Sequence, residues 1–244
     1  SYIAPQSYID TNVSGTLNVL QAAKNNDVKK IIHTSTSEVY GTAKFVPISE
    51  NHPLSGQSPY AASKIAADQI AYSFYSSFNL PVAICRPFNT YGPRQSMRAV
   101  IPTIILQLLR GKDKEQLGNI HTTRDFNYIE DTVNGFISIM LCDKSQGEVF
   151  NIGSKFEIDI QSTFKIISEK INHNAKISYD HQRIRPEKSE VERLFCDNSK
   201  ALQFLDWKPH YNNKLNFSKG IKETINWYKD KNNISNFKDL GYVI

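Results

Sequence analysis

A short apolar run followed at once by polar side chains is the feature that most limits how this chain can fold. Residues 30–33 contain two adjacent isoleucines and predict a buried strand. Residues 34–41 (TSTSEVYG) then place several hydroxyl groups and one carboxylate at the carboxyl end of that strand. In open α/β sheets, ligands bind beyond this end of the strands, so the pattern predicts a ligand site here.

A helical pair of titratable side chains follows. Residues 58–64 (SPYAASK) open a predicted helix in which Tyr60 and Lys64 lie four positions apart and share one face. A free phenol has a pKa of about 10 and is a poor base at neutral pH. A neighbouring ammonium favours the phenolate, so the pair predicts a lowered pKa for Tyr60. A hydroxyl from Thr36 could hold the substrate oxygen beside it.

Each feature has a structural explanation when it occurs alone. Tyr-x-x-x-Lys is a common helical pair, and Ser/Thr clusters after strands usually form turns or helix caps. In combination and in this order, residues 35–41 (STSEVYG) with Tyr60 and Lys64 resemble the extended short-chain dehydrogenase/reductase family. Within that family, the chain is similar to the nucleotide-sugar epimerases and dehydratases.

The resemblance implies a role for each residue that matches the family pattern. Tyr60 would be the base for the sugar C4 hydroxyl, Thr36 would position the C4 oxygen, and Lys64 would hold the nicotinamide ribose. The implied cofactor is NAD. The residues expected to contact it are Tyr60, Lys64, Ser35, Pro87 and Asn12, of which Asn12 suits a structural role equally well.

The pair Ser37 and Glu38 bears on the type of reaction. By the resemblance, many 4,6-dehydratases have Asp-Glu here, with the Asp as acid for the C6 hydroxyl and the Glu as base at C5. Ser37 replaces that Asp, and a serine hydroxyl is a weak proton donor. Ser-Glu is also found in the GDP-mannose dehydratase branch and in UDP-glucuronate decarboxylases. Glu38 argues against simple epimerisation, although a solvated loop carboxylate is the structural alternative.

Residues 86–103 and 56–60 are most similar to one group of the family. That group comprises the NAD-dependent 4,6-dehydratases that act on a nucleotide-linked N-acetylglucosamine in the legionaminic acid pathway. The resemblance implies a GDP- or UDP-linked sugar as the substrate. The residues expected to contact its nucleotide and phosphates are Asn89, Arg94, Arg124 and Arg185, since guanidinium groups match phosphate oxygens.

Composition excludes several other classes of protein. The net charge is +5, and the basic residues are interspersed with acidic ones, so no nucleic-acid footprint is evident. No apolar run is long enough to span a membrane, and no signal peptide is visible. Three widely separated cysteines show no metal-ligand spacing and predict reduced thiols in a cytoplasmic protein without a metal site.

The predicted fold is α/β, with a doubly wound Rossmann-type parallel sheet and a small carboxy-terminal α+β substrate lobe. Strands are expected at 30–35, 80–86, 148–153 and 176–180. Helices are expected at 11–26, 59–78, 99–110, 129–142, 158–172, 197–204 and 213–230. Residues 87–94, 121–128 and 181–196 are expected to be loops. Residues 1–153 are assigned to the NAD-binding domain, with substrate-lobe segments at about 94–125, and 154–244 mainly to the substrate lobe.

One expected part of a nicotinamide-binding fold has no counterpart in the sequence. Such folds begin with a strand, a Gly-rich turn and a helix. The 244 residues contain no G-x-x-G-x-x-G run. The N-terminal strands and the Gly-rich loop are therefore expected to be missing, and with them the adenosine half of the cofactor site.

Three alternatives stay open at this point. The chain could be a UDP-glucuronate decarboxylase, which needs an arginine for the substrate carboxylate, or a nucleotide-sugar epimerase. It could also be a catalytically inert fragment. The resemblance further implies a homodimer that pairs helices 11–26 and 59–78.

Overall fold

The computed structural model describes residues 1–180 and 186–234, and it is an α/β structure with parallel sheets. The helices are α1 (Pro5–Tyr8), α2 (Gly15–Asn25), α3 (Pro59–Phe78), α4 (Val100–Leu109), α5 (Ile129–Leu141), α6 (Ile160–Ile171), α7 (Ser199–Leu205), α8 (Lys214–Lys229) and α9 (Lys231–Ile234). The strands are β1 (Ile31–Thr34), β2 (Val82–Pro87), β3 (Asn89–Tyr91), β4 (Lys114–Leu117), β5 (Thr123–Tyr128), β6 (Val149–Ile152), β7 (Glu157–Asp159) and β8 (Lys176–Tyr179).

A parallel sheet of β1, β2 and β6, in that order, forms the base of the molecule. Ile31 pairs with Val82, and Ile84 pairs with Val149. Because the three strands run in the same direction, their carboxyl ends meet at one edge. The chain leaves β1 and β2 at this edge, and both polar stretches predicted to bind ligand follow there.

Helices cover both faces of this sheet, as expected for a doubly wound fold. Successive side chains of β2 point to opposite faces. Val82 and Ile84 pack among apolar residues of α2 and α3, whereas Ala83 and Cys85 pack among those of α5 and α7. Burial on both faces explains why β2 is apolar without alternation.

A second group of strands and helices stands beyond the carboxyl edge. β3 and β5 are parallel, β7 is antiparallel to β5, and β4 and β8 form a separate parallel pair. Helices α4, α6 and α8 enclose the largest apolar core. The sequence of α4 is apolar almost all round, and the helix is buried almost all round, as its composition predicts.

Two segments predicted as loops contain strands. The predicted loop 87–94 includes β3, and the predicted polar loop 121–128 is mostly β5. Asp125 in β5 is fully buried, and its carboxylate accepts hydrogen bonds from the backbone N–H groups of Ser154, Lys155 and Cys196. These partners satisfy the buried charge but lie 29 to 71 positions further along the chain, so the polar sequence gave no local sign of them.

The first predicted helix also differs in detail. α2 begins at Gly15, and the preceding residues Ile9–Ser14 form a π-helical segment that continues from α1. The division of the chain at residue 153 stays a prediction. Residues on both sides of that point pack together, since Val191 and Leu194 pack with Val39 and Tyr40 near the first sheet.

Within residues 1–180 and 186–234, no helix combines the length and the apolar character needed to cross a bilayer.

Candidate active site

The polar stretch after β1 folds into a tight turn held by its own side chains. The hydroxyl oxygen of Thr36 accepts a hydrogen bond from the backbone N–H of Glu38 at 3.2 Å and so caps a short 3-10 helix, Ser37–Tyr40. The turn ends at Gly41, which has a φ of +64°. A side chain at this position would also collide with Gln57, so only glycine fits without strain.

Helix α3 starts beside this turn because of its N-terminal sequence. The Ser58 hydroxyl accepts a hydrogen bond from the Ala61 N–H at 3.1 Å, and Pro59 occupies the first helical position. Tyr60 is therefore in the first turn of α3, at the carboxyl edge of the parallel sheet.

Tyr60 and Thr36, predicted to act together, are in contact. The Thr36 hydroxyl lies close enough to the Tyr60 hydroxyl to favour the phenolate. The Thr36 oxygen already accepts a bond from Glu38, so its own proton can be donated to the Tyr60 oxygen. The ring of Tyr8 packs edge-on against Tyr60, with 5.9 Å between centroids.

Electrostatics around Tyr60 favour the neutral phenol in this structure. Burial raises the pKa of Tyr60 above its ordinary value, the hydrogen bond from Thr36 opposes that rise, and the carboxylate of Glu38 adds to it. This direction is opposite to the lowered pKa that the sequence predicted. The reason is that desolvation outweighs the favourable contacts that Tyr60 makes.

Lys64 lies one turn further along α3. Its ammonium donates a hydrogen bond to the carbonyl oxygen of Thr34 at 2.5 Å, which ties the helix to the end of β1. Burial lowers the pKa of Lys64, and the nearby carboxylate of Asp68 opposes the change. Lys64 does not line the same cavity as Tyr60; it lines an adjacent one of about 360 Å³ between α2 and β1.

A cavity of about 470 Å³ opens at the carboxyl edge of the sheet. The predicted site residues that line it are Ser35, Thr36, Ser37, Glu38, Tyr60, Pro87 and Asn89. They come from the turn after β1, the start of α3 and the end of β2. The structure therefore gathers side chains that are spread over more than fifty positions of the sequence.

A second cavity of about 360 Å³ adjoins the first, and Glu38, Asn89 and Thr90 line both. Its other residues include the cations Arg98 and Arg124. Apolar side chains from α4, β4 and β5 complete the wall. The two cavities form one continuous cleft with a mainly hydroxyl and carboxylate end and a basic, partly apolar end.

Arg124 and Asn89 contribute the polar groups of the second cavity. Arg124 is buried, and its guanidinium lies 3.5 Å from the carboxylate of Glu190. The side-chain oxygen of Asn89 is buried and has no hydrogen-bond partner among the described residues. A buried acceptor of this kind suits a ligand that donates a hydrogen bond.

Besides Lys64, three predicted site residues lie outside the cleft or cannot be placed. Asn12 does not line the first cavity; its amide donates a hydrogen bond to the hydroxyl of Ser63 at 2.9 Å, and that hydroxyl donates to the Tyr60 carbonyl. Arg94 is exposed and lines neither cavity of the cleft. Arg185 lies outside the described residues.

Several residues of the cleft were not predicted as site residues. They are Tyr8, Ser58, Arg98, Asn119 and Glu190. Ser58 could have been found as the cap of α3. Nothing in the local sequence marks Tyr8 or Glu190, because only the folded chain brings them to the cleft.

The comparisons with known proteins agree on one family. Residues 1–224 match the family model described as GDP-mannose 4,6 dehydratase. A dTDP-glucose 4,6-dehydratase of Actinoplanes sp. is 32% identical over 230 residues, which are 94% of this chain and 69% of that protein.

Two solved structures share the fold. The dTDP-glucose 4,6-dehydratase of Bacillus anthracis, in complex with NAD, has a TM-score of 0.84 and 31% identity, over 95% of this chain and 71% of that one. The UDP-glucuronic acid 4-epimerase of Bacillus cereus, in complex with UDP-glucuronic acid and NAD, has a TM-score of 0.82 and 29% identity, over 91% and 68%.

Proposed function

This chain belongs to the GDP-mannose 4,6-dehydratase family, and from that membership we propose that it dehydrates a nucleotide-linked sugar to the 4-keto-6-deoxy sugar with NAD. The supporting observation is the grouping of Tyr60, Thr36 and Glu38 around one cavity. These side chains supply a phenol, a hydroxyl and a carboxylate, which suit proton transfer at two neighbouring sugar carbons.

The residues of the cleft fit the nicotinamide end of NAD. Pro87 and Ser35 line the cavity that contains Tyr60, and Lys64 provides an ammonium in the adjacent cavity. We expect these residues to hold the nicotinamide nucleotide, with Asn12 supporting α3 through Ser63. When bound, oxidised NAD would supply a positive charge that lowers the pKa of Tyr60, accept hydrogen from C4 and return it to C6.

Each proton transfer is then assigned to one side chain. Tyr60 takes the proton of the C4 hydroxyl while Thr36 orients the C4 oxygen. The resulting ketone acidifies the C5–H bond, and Glu38 removes that proton. The C6–O bond breaks, a C5–C6 double bond forms, and one water leaves. Ser37 is a weak acid, so we assign the proton for the departing hydroxyl to Glu38, which has just received one from C5. Glu38 would then take up a proton from solvent and give it to C5 as hydrogen returns to C6. Tyr60 releases the C4 hydroxyl proton to solvent, so the protons balance over one turnover.

The second cavity suits the nucleotide. Asn89 and Arg124 would contact the diphosphate, because a buried guanidinium and an amide match phosphate oxygens. Contacts from Arg94 and Arg185 stay proposals. The proposed sugar is N-acetylglucosamine, linked to UDP or GDP and used in the legionaminic acid pathway; the support is the likeness of residues 86–103 and 56–60 to that group.

The cleft gives a reason to prefer dehydration over decarboxylation. A UDP-glucuronate decarboxylase needs a basic group for the sugar carboxylate. Among the described residues that line the first cavity, none is Arg or Lys, and the acidic Glu38 faces it instead. Glu38 itself does not separate the two reactions, because Ser-Glu is also found in the decarboxylases; the preference rests on the lack of Arg and Lys among these described residues.

The test of this proposal is the variant Glu38→Gln in the NAD-loaded enzyme, with UDP- and GDP-N-acetylglucosamine as substrates. The amide cannot accept the C5 proton, so we expect dehydration to fall by about 10²–10⁴-fold, the usual contribution of a general base. The C4 oxidation, read as absorbance of the reduced nicotinamide, should persist.

The matched control is Glu169→Gln on the exposed face of α6, which should retain parental turnover. Parental dehydration by Glu38→Gln would contradict the role of Glu38. Release of carbon dioxide from UDP-glucuronate by the parent would favour the decarboxylase, and inversion at C4 without loss of water would favour the epimerase.

We also propose that the enzyme acts in the cytoplasm as a homodimer. The support is the family resemblance and the apolar side chains exposed on α2 and α3.

A further inference from the structure

Helix α3 has a third charged residue on the face that holds the proposed catalytic pair. Tyr60, Lys64 and Asp68 follow one another at intervals of four residues, so they are stacked along one side of the helix. Asp68 is 1% exposed, which is unusual for a carboxylate in the middle of a helix. A buried charge at this position needs partners from other elements.

Those partners come from both neighbouring strands. One oxygen of Asp68 is 3.1 Å from Nε2 of His33 in β1. The other accepts hydrogen bonds from the hydroxyl of Ser35 at 2.9 Å and from Nε of Arg86 at 3.1 Å, with Nη2 of Arg86 at 3.0 Å. Asp68 therefore joins α3 to the ends of β1 and β2, directly behind the turn that lines the cavity.

Arg86 is equally enclosed. Besides Asp68, it donates a hydrogen bond from Nη1 to the hydroxyl of Tyr40 at 3.0 Å, and that hydroxyl donates to Asn151 at 2.7 Å. Arg86 is 4% exposed. The carboxylate and the guanidinium form a buried pair of opposite charges whose summed charge is close to zero, one helical turn from Lys64.

We propose that Asp68 and Arg86 are positioning residues that together fix the location and the charge balance of the Tyr60–Lys64 pair. Asp68 alone would attract the Lys64 ammonium and disfavour a phenolate at Tyr60, and Arg86 alone would do the reverse. As a pair, they fasten α3 to the sheet while leaving little net field at the reacting groups. The inference rests on the proposed function only in naming Tyr60 and Lys64 as catalytic residues.

The charged and titratable groups around this pair show that Asp68 acts on both reacting groups. Tyr60 faces Glu38, Tyr8 and Asp68, all of which raise its pKa. The hydrogen bonds and charges of His33, Arg86 and Ser35 keep the pKa of Asp68 below its ordinary value despite burial, so the carboxylate is ionised at neutral pH. The burial that lowers the pKa of Lys64 is opposed by Asp68.

The experiment measures the ionisation of Lys64 directly, without substrate or turnover. Lysine labelled at Cε is titrated by NMR in the full chain, and a Lys64→Arg variant identifies the resonance. In Asp68→Asn, Arg86 is unbalanced, and the pKa of Lys64 should fall. In Arg86→Gln, Asp68 is unbalanced, and that pKa should rise. Each shift should be about one pH unit, the size expected for charges one helical turn apart at an intermediate dielectric.

Opposite shifts are the outcome that a purely structural role would not produce. The double variant Asp68→Asn/Arg86→Gln and the charge-preserving Arg86→Lys should both keep the parental pKa of Lys64. Asp125→Asn is the matched control, because it removes another buried carboxylate in β5 and should destabilise the fold without moving the titration.

Shifts in the same direction, or no shift in either single variant, would overturn the proposal. If a single variant does not fold, the double variant decides: a changed pKa of Lys64 in it would equally overturn the charge balance. Absence of dehydratase activity would leave this titration readable, so failure of the proposed function is distinguishable from failure of this inference.

Discussion

At the scale of single residues, the site depends on which hydrogen bonds the Thr36 hydroxyl already makes. The Thr36 oxygen accepts from the Glu38 N–H, and this leaves one proton that can be donated to Tyr60. Burial nevertheless keeps the phenol protonated, because desolvation disfavours the phenolate more than one hydrogen bond favours it. A positive charge brought by a ligand is therefore needed before Tyr60 can act as a base.

A prediction at this scale concerns the stability contributed by Asp68. Its pKa in the folded chain is lowered, so its contribution is present above the unfolded pKa of about 3.9 and is lost as pH falls through the folded pKa. Asp68→Asn should lower the free energy of unfolding by about 3 kcal/mol at pH 7, since it leaves Arg86 buried without its partner. The difference from the parent should shrink below about pH 4.

Urea unfolding of both proteins between pH 7 and pH 3 measures this difference. Asp27→Asn is the surface control, because Asp27 is exposed and has a positive φ that asparagine also tolerates. It should leave stability nearly unchanged at every pH. A difference for Asp68→Asn that stays constant down to pH 3 would contradict the assigned ionisation.

At the scale of secondary structure, α3 determines where the reacting groups stand. Its N-terminus is fixed by Ser58 and Pro59, and Gly56 lets the preceding loop pass close to Ala62. Its C-terminus ends at Asn79 in the left-handed conformation. Both ends are thus specified by local sequence, which explains why the limits of this helix were predicted correctly.

The N-cap of α3 gives a prediction for this element. Ser58→Ala removes the acceptor for the Ala61 N–H and should lower the free energy of unfolding by about 1 kcal/mol. Because Ser58 also lines the cavity and precedes Tyr60, the variant should reduce kcat as well. Thermal unfolding and steady-state kinetics measure the two effects.

The matched control is Asn213→Ala, which removes the equivalent cap of α8. It should cause a similar loss of stability with kcat unchanged, since α8 packs in the apolar core that α4, α6 and α8 enclose, away from Tyr60. If both variants changed kcat equally, the prediction would be wrong, because loss of the α3 cap would then have no specific effect on the site.

At the scale of the whole molecule, the cleft lies where the two groups of strands meet. The end of β2 leads into β3, so the first sheet and the second group of strands are joined within a few residues of Asn89. Residues 186–194 close the arrangement from the other side: the Arg193 carbonyl accepts a hydrogen bond from the N–H of Ala43, just past the turn after β1, and the Glu192 carbonyl accepts one from Thr123 in β5. A substrate in this cleft would contact both parts of the chain at once.

Exposed apolar side chains on α2 and α3 lead to a prediction about assembly. Leu17 on α2 and Tyr72 and Phe78 on α3 are exposed. We expect these helices to pair in a two-fold symmetric dimer, which would bury such side chains. Tyr72→Glu should then yield a monomer in sedimentation experiments. Leu141→Glu on α5, where the side chain is 77% exposed, should leave the dimer intact.

A monomeric parent, or a dimer that tolerates Tyr72→Glu and is split by Leu141→Glu, would show that the predicted helices do not form the interface.

The sequence by itself determined the features that arise from short-range physical rules. The apolar runs of β1, β2 and β6, the caps of α3 and the four-residue spacing of Tyr60 and Lys64 are all local, and they were sufficient to predict the α/β fold and the turn with Thr36 and Glu38. The family pattern in the same residues pointed to NAD and a nucleotide sugar, in agreement with the family that the comparisons show.

Tertiary structure alone decided what depends on distant partners. β5 is a strand because Asp125 finds its donors far along the chain, Glu190 reaches Arg124 from another segment, and the buried pair of Asp68 and Arg86 joins a helix to two strands. Polar residues predict loops when they are assumed to face water. Their true environment is set by hydrogen-bond and charge partners that the fold brings together, and local sequence does not record these partners.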